Sequence, residues 1–121
     1  MTTGYIVFAH GSRVEPANEA VRSVAAQLAE LGSFRHVEPA FLELGQPSLE
    51  TAVANLAGQG VQRIVVIPYF LTLGTHLERD LPRLVRGISI KYKDLDVSAT
   101  PPLDGHPALL QILLDRTKEP Q

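Results

Sequence analysis

The run Ile64-Val65-Val66-Ile67 constrains this chain most. Four consecutive apolar, β-branched residues read as a strand buried on both faces, because a strand with one wet face alternates apolar and polar positions. Such a strand belongs in the middle of a parallel sheet and needs helices above and below it. It continues through Pro68-Tyr69-Phe70-Leu71-Thr72-Leu73 to Gly74-Thr75-His76, so a rigid element ends in a loop that presents a histidine.

The rest of the chain supplies the helices and the neighbouring strands. Gly4 to Ala9 reads as the first strand, ended by His10-Gly11-Ser12. From about Pro16 to Leu31, residues Ala17, Ala20, Val21, Val24, Ala25, Leu28 and Leu31 recur at helical steps, with Gly32 as the expected left-handed stop. Val37 to Leu42 is a strand interrupted by Pro39, which lacks a ladder donor and so points to a sheet edge. Pro47 suits a first helical turn, and Leu49, Ala52, Val53 and Leu56 give the second helical stripe, closed by Gly58 and Gly60. After the strand at Arg63 to Tyr69, Thr75 and Glu78 have capping-box spacing. Pro82 argues for a short turn around His76 and a helix proper from about Pro82 to Tyr92, with Leu81, Leu84, Val85 and Ile88 facing in. Leu95 to Thr100 is the fourth strand, Pro101 to Pro107 a turn-rich loop, and Ala108 to Leu114 a closing helix; Thr117 to Gln121 is expected to fray. The alternation predicts one α/β domain over residues 1–121: a four-stranded, mainly parallel sheet with helices on both faces.

Several function classes are excluded or disfavoured. With no cysteine there is no thiolate zinc site, iron–sulfur cluster, disulfide framework or cysteine nucleophile. A net charge of −2 without a Lys/Arg block leaves no footprint for nucleic acid. No apolar run approaches the roughly 20 residues that span a bilayer. The first residues carry no basic segment, so no signal peptide is expected, and the expected location is cytoplasmic. No P-loop, Gly-x-Gly-x-x-Gly, Gly-x-Ser-x-Gly or His-Glu-x-x-His stands in the chain.

His10, Glu43, His76 and His106 each follow a strand. In a parallel sheet all those positions lie along one edge, where ligands bind at the point at which strand order reverses. Singly, each has a plainer reading. His10 could hydrogen-bond a backbone group, Glu43 could be a solvated loop carboxylate, and His76 a wet first-turn residue. His106, between Gly105 and Pro107, reads as structural, bonding the Pro-rich loop, and His36 as surface at the opposite edge. Taken together, imidazoles and a carboxylate suit first-row divalent ions, and an incomplete ligand set leaves positions open for an ion that is handed on. A neighbouring carboxylate can accept protons.

Three motifs carry a resemblance over nearly the whole chain: Ala9-His10-Gly11-Ser12, Phe41-Leu42-Glu43-Leu44-Gly45-Gln46-Pro47, and Pro68 to Pro82. They resemble the small sirohydrochlorin chelatases of the CbiX/SirB type. The resemblance implies a flavodoxin-like chelatase fold and insertion of Co²⁺, Fe²⁺ or Ni²⁺ into a sirohydrochlorin-type tetrapyrrole, in cobalamin or sirohaem biosynthesis. By the same resemblance, His10 and His76 match metal-binding histidines, with His10 also a proton acceptor. Glu43 matches the acidic residue that helps take pyrrole protons. Gln46 and Leu71, Thr72, Leu73, Gly74 and Thr75 match positions lining the macrocycle. No cofactor beyond the substrate metal is implied, and the short form implies a homodimer, with neither nucleic acid nor membrane as partner. The rival readings are a non-catalytic metal carrier or half-chelatase acting with a partner, a phosphate-ester hydrolase using His10, and a structural dimer without chemistry.

Overall fold

The computed structural model describes residues 1–120, leaving Gln121 outside. Its elements are β1 (Thr3–Ala9), α1 (Glu15–Gly32), β2 (Val37–Phe41), α2 (Leu49–Gly58), β3 (Arg63–Pro68), α3 (Gly74–Lys91), β4 (Asp96–Ala99) and α4 (Pro107–Thr117). The four strands form one sheet in the order β2-β1-β3-β4, and each neighbouring pair is parallel. β2 lies at an edge, and there Pro39 sits opposite Val7 without occupying a two-sided ladder position.

Alternation along the strands splits the core into two layers. On one face Ile6, Phe8, Ala40, Ile64 and Val66 meet Leu49, Ala52, Val53 and Leu56 of α2 and Leu77, Leu81 and Ile88 of α3. On the other, Val7, Ala9 and Phe41 meet Val21 and Ala25 of α1. The expected helices on both faces are therefore present, but their cover is unequal. Ile64 and Val66 of β3 are fully buried, whereas Val65 and Ile67 are only half-buried. The helix on their side, α1, packs against β1 and β2, while α4 has no buried residue at all. β3 is thus buried on one face and half-covered on the other, not buried on both. A groove of about 630 Å³ runs between Ile67, the loop after β4, and Leu109 and Ile112 of α4.

Several boundaries differ from the sequence expectation. α3 runs unbroken from Gly74, with Pro82 inside it. Pro82 lies on the exposed side, where water can take up the carbonyl its missing N–H leaves free. No Thr75–Glu78 capping box forms, since the N-cap position is Leu73, with no side-chain bond. Leu84 is 39% exposed, while Leu77, about two turns nearer the site, is buried. In α1 the buried line is Asn18, Val21 and Ala25, and Ala17, Ala20 and Leu31 face out. Its left-handed stop is Ser33 (φ 54), not Gly32, whose missing side chain instead leaves room for the Phe34 ring. Pro47 precedes α2, whose N-cap is Ser48, the side chain accepting from Thr51 N–H.

Candidate functional site

With every strand parallel, the loops after β1, β2, β3 and β4 emerge along one edge of the sheet. The chain passes from β1 out to β2 and then back across to β3, so strand order reverses between β1 and β3. Loops on the two sides of that point part company and leave a crevice. The last bond joining the two strands is Tyr69 N–H to the Phe8 carbonyl, at 2.7 Å.

Each side of the crevice is tied within itself. On the β1/β2 side, Leu42 N–H donates to Ala9 O (2.9 Å) and Glu43 N–H to His10 O (3.0 Å). On the β3/β4 side, Leu103 N–H donates to Phe70 O (2.9 Å) and Asp104 N–H to Leu71 O (2.8 Å). Gly11 makes the first tie possible. Its φ is +96°, and a Cβ there would strike the Glu43 carbonyl oxygen.

The backbone ties bring His10 and Glu43 together: His10 Nε2 lies 3.0 Å from Glu43 Oε1. Both side chains are about half exposed, at 52% and 58%, so the pair is open to an incoming ligand. An ionised carboxylate can only accept, so in this contact Nε2–H is the donor and Nδ1 is the ring nitrogen that faces away from Glu43. Carboxylates hold metal-ligating imidazoles in this way, fixing the tautomer and raising basicity.

The other expected site residues are placed as follows. His76 is exposed in the first turn of α3. It is not joined to the pair, and no group of three or more His, Asp or Glu side chains is set to hold a metal ion among the described residues. Leu71 is 65% exposed, Thr72 and Thr75 are exposed and Leu73 is half-buried. Gly74 starts α3 at φ +71°. Gln46 is exposed, and its carbonyl accepts from Arg22 Nη2 at 3.1 Å. His106 is the N-cap of α4, its Nδ1 accepting from Ala108 N–H at 3.1 Å, which is a structural role. His36, at the other end of the sheet, is half-buried with Nδ1 2.8 Å from Gln59 Oε1.

Three features of this edge escape a reading of the residues alone. Leu42, Leu44 and Tyr69 join Leu71 as exposed apolar side chains on the loops around the polar pair. Arg22 donates from Nη1 to Glu15 (2.6 Å) and Glu19 (2.9 Å) and lies over the Phe41 ring, 5.4 Å from its centroid. The Arg22 guanidinium, and after it the Asn18 amide, holds the Glu15 carboxyl below its ordinary range, and the same carboxylates raise Arg22. Asn18 is 1% exposed and fully hydrogen-bonded. Its spacing from Val21 and Ala25, three and then four residues, was the available signal that it faces inward.

A family model described as CbiX matches residues 4–120. The chain belongs to the CbiX family. Among its relatives, the sirohydrochlorin cobaltochelatase of Methanopyrus kandleri is 33% identical over 135 residues, which cover 94% of each chain. The chloroplastic sirohydrochlorin ferrochelatase of Arabidopsis thaliana is 34% identical over 113 residues, which span 93% of this chain and 50% of that one. The sirohydrochlorin chelatase SirB of Bacillus subtilis subspecies spizizenii, solved in complex with cobalt, superposes with a TM-score of 0.85 at 25% identity, over 98% of this CbiX chain and 50% of that chain. The four-stranded parallel sheet of the CbiX chain is thus a chelatase-type α/β fold.

Proposed function

We propose that this chain is a sirohydrochlorin metal chelatase, inserting Co²⁺, Fe²⁺ or Ni²⁺ into a sirohydrochlorin-type tetrapyrrole. The observation that carries the reading is the exposed His10–Glu43 pair at the strand-order reversal. It is supported by relatives named as cobaltochelatase and ferrochelatase that match over nearly the whole chain. Insertion releases two pyrrole N–H protons as four metal–nitrogen bonds form, so the site must both present an ion and take up protons. In this reading the His10 imidazole first holds the ion and, once the ion has passed to the macrocycle, accepts a proton at the freed nitrogen, Glu43 takes the other proton, and His76 is the second metal ligand. The exposed apolar side chains of Leu42, Leu44, Tyr69 and Leu71, with Gln46 and Thr72 to Thr75, form the bed for the flat macrocycle. An ion gripped by few protein ligands can be passed on to four pyrrole nitrogens, which suits a chelatase better than a carrier.

The finer features follow from the same reading. The chain acts as a homodimer: α4 leaves Leu110, Ile112, Leu113 and Leu114 between 48% and 72% exposed, and two relatives are about twice its length. It works in the cytoplasm and needs no cofactor besides its substrate metal; no helix among the described residues is long and apolar enough to cross a membrane. The test is anaerobic sirohydrochlorin mixed with each metal in turn, followed by absorbance. The reading requires faster insertion with the protein than without it for at least one metal. Metal binding without acceleration would leave a carrier or half-chelatase.

A further inference from the structure

The Asn18 carboxamide is the most buried polar side chain described, at 1% exposure, and it lies outside the crevice on α1. Its Oδ1 accepts from Ser12 N–H at 2.9 Å. Its Nδ2 donates to Ser12 O at 2.8 Å, to Leu44 O at 3.0 Å and to Glu15 Oε2 at 3.2 Å. Ser12 stands two residues after His10, and Leu44 is the residue after Glu43. One side chain therefore holds both loops whose side chains meet in the His10–Glu43 pair. Leu44 is also held at φ 58°, a left-handed conformation that a leucine adopts only under outside constraint. The Nδ2 bond to its carbonyl is such a constraint.

We propose that Asn18 is a positioning residue that sets Glu43 against His10; the proposal rests on the chelatase reading of that pair. Burying an amide is unfavourable unless every polar atom is bonded, and here both ends are bonded to backbone of the site loops. A merely stabilising core residue would be replaceable by an apolar one at this point in the Val21–Ala25 line. The carboxamide supplies what an apolar residue cannot, namely an acceptor for one loop and a donor shared by both. Reacting groups displaced by about 1 Å lose roughly a hundredfold in rate, so a tie of this kind acts on turnover more than on binding.

The test is a double-mutant cycle on the full chain, with Asn18→Asp and Asn18→Ser each made alone and with Glu43→Ala. Asn18→Asp keeps volume and the acceptor for Ser12 N–H, but turns the donor into an oxygen facing Ser12 O, Leu44 O and Glu15. The expected result is a roughly ten- to hundredfold loss of kcat in the single variants, larger than the change in KM for the tetrapyrrole that release of Leu44 brings. In the Glu43→Ala background the same substitutions cost less than about twofold more, since the group being positioned is gone. Amide hydrogen exchange gives a readout independent of activity: Leu42 and Glu43 N–H lose protection in the Asn18 variants while Ala52 and Val53 in α2 keep theirs. Equal losses in both backgrounds, or exchange rising uniformly through α2, would assign Asn18 to general stability and overturn the proposal, as would unfolding of both variants. Absence of insertion by the unmodified chain would instead strike the chelatase reading, and the exchange result would still decide the tie.

Discussion

The Glu43 carbonyl oxygen occupies the space where a Cβ of Gly11 would stand. The contact links the residue that follows His10 to the residue that faces it, so the two loops can approach only because position 11 carries no side chain.

Gly11→Ala should therefore do more harm than another glycine replacement in the same backbone region. Gly60 is a suitable control, because its φ of +86° is similar and nothing lies within 4 Å of its would-be side chain. Gly60→Ala is expected to cost about 1 kcal/mol of left-handed strain. Gly11→Ala adds a steric collision and should cost roughly 2–4 kcal/mol, with loss of metal insertion as Glu43 is pushed away. Thermal unfolding of both variants checks this, and equal destabilisation would contradict the close approach.

Acid should remove part of what holds the second site loop. In the folded chain the Glu15 carboxyl is held below its ordinary range by Arg22, then by Asn18. A group depressed in the folded state contributes stability above its unfolded pKa and loses it as pH falls through the folded one. Arg22 is raised, so it stays charged throughout that window. Arg22→Met is thus expected to be less stable than the unmodified chain at pH 7, with the gap narrowing as pH drops through and below the carboxylate range. The gap should not close, because the Gln46 carbonyl and the Phe41 ring also contact Arg22. Denaturant midpoints across pH measure it; a gap that widens on acidification would have the wrong sign.

Much of this architecture is readable from residue order, and the failures have physical causes. Strands and helices declare themselves where one face is buried, as in Ile64 and Val66 or Ala52, Val53 and Leu56. Pro82 misleads because a proline excludes only one helical hydrogen bond, and on the solvent side that loss is mild. Asn18 is passed over because an asparagine among alanines reads as outward-facing; its spacing from Val21 and Ala25 signals burial, but only the tertiary contacts with Ser12 and Leu44 reveal what it holds. The pairing of His10 with Glu43 follows from parallel strands emerging at one edge. His76 also lies at that edge, but it stands in the first turn of α3, where Pro82 makes the sequence predict a short turn instead, and its ring is exposed and not joined to the pair.

The bare face of α4 carries a prediction of its own. Leu113 is 63% and Leu110 72% exposed, an unusual density of apolar side chains for a solvent-facing helix. If a second copy covers them, Leu113→Glu should convert a dimer into a monomer without altering far-UV circular dichroism. Sedimentation equilibrium reads the mass directly, and a monomeric unmodified chain at micromolar concentration would refute the dimer.

The most direct measurement compares two histidine substitutions in one metal-insertion assay. His10 stands at the crevice in contact with Glu43, whereas His36 lies at the far end of the sheet bonded to Gln59. Initial rates of Co²⁺ insertion into anaerobic sirohydrochlorin would be followed by absorbance for the unmodified chain, His10→Ala and His36→Ala, against a protein-free blank. The account predicts that His10→Ala falls by a hundredfold or more, roughly the contribution of a positioned acid–base group, while His36→Ala stays within about twofold. Equal rates for the two variants would contradict the assignment of the site.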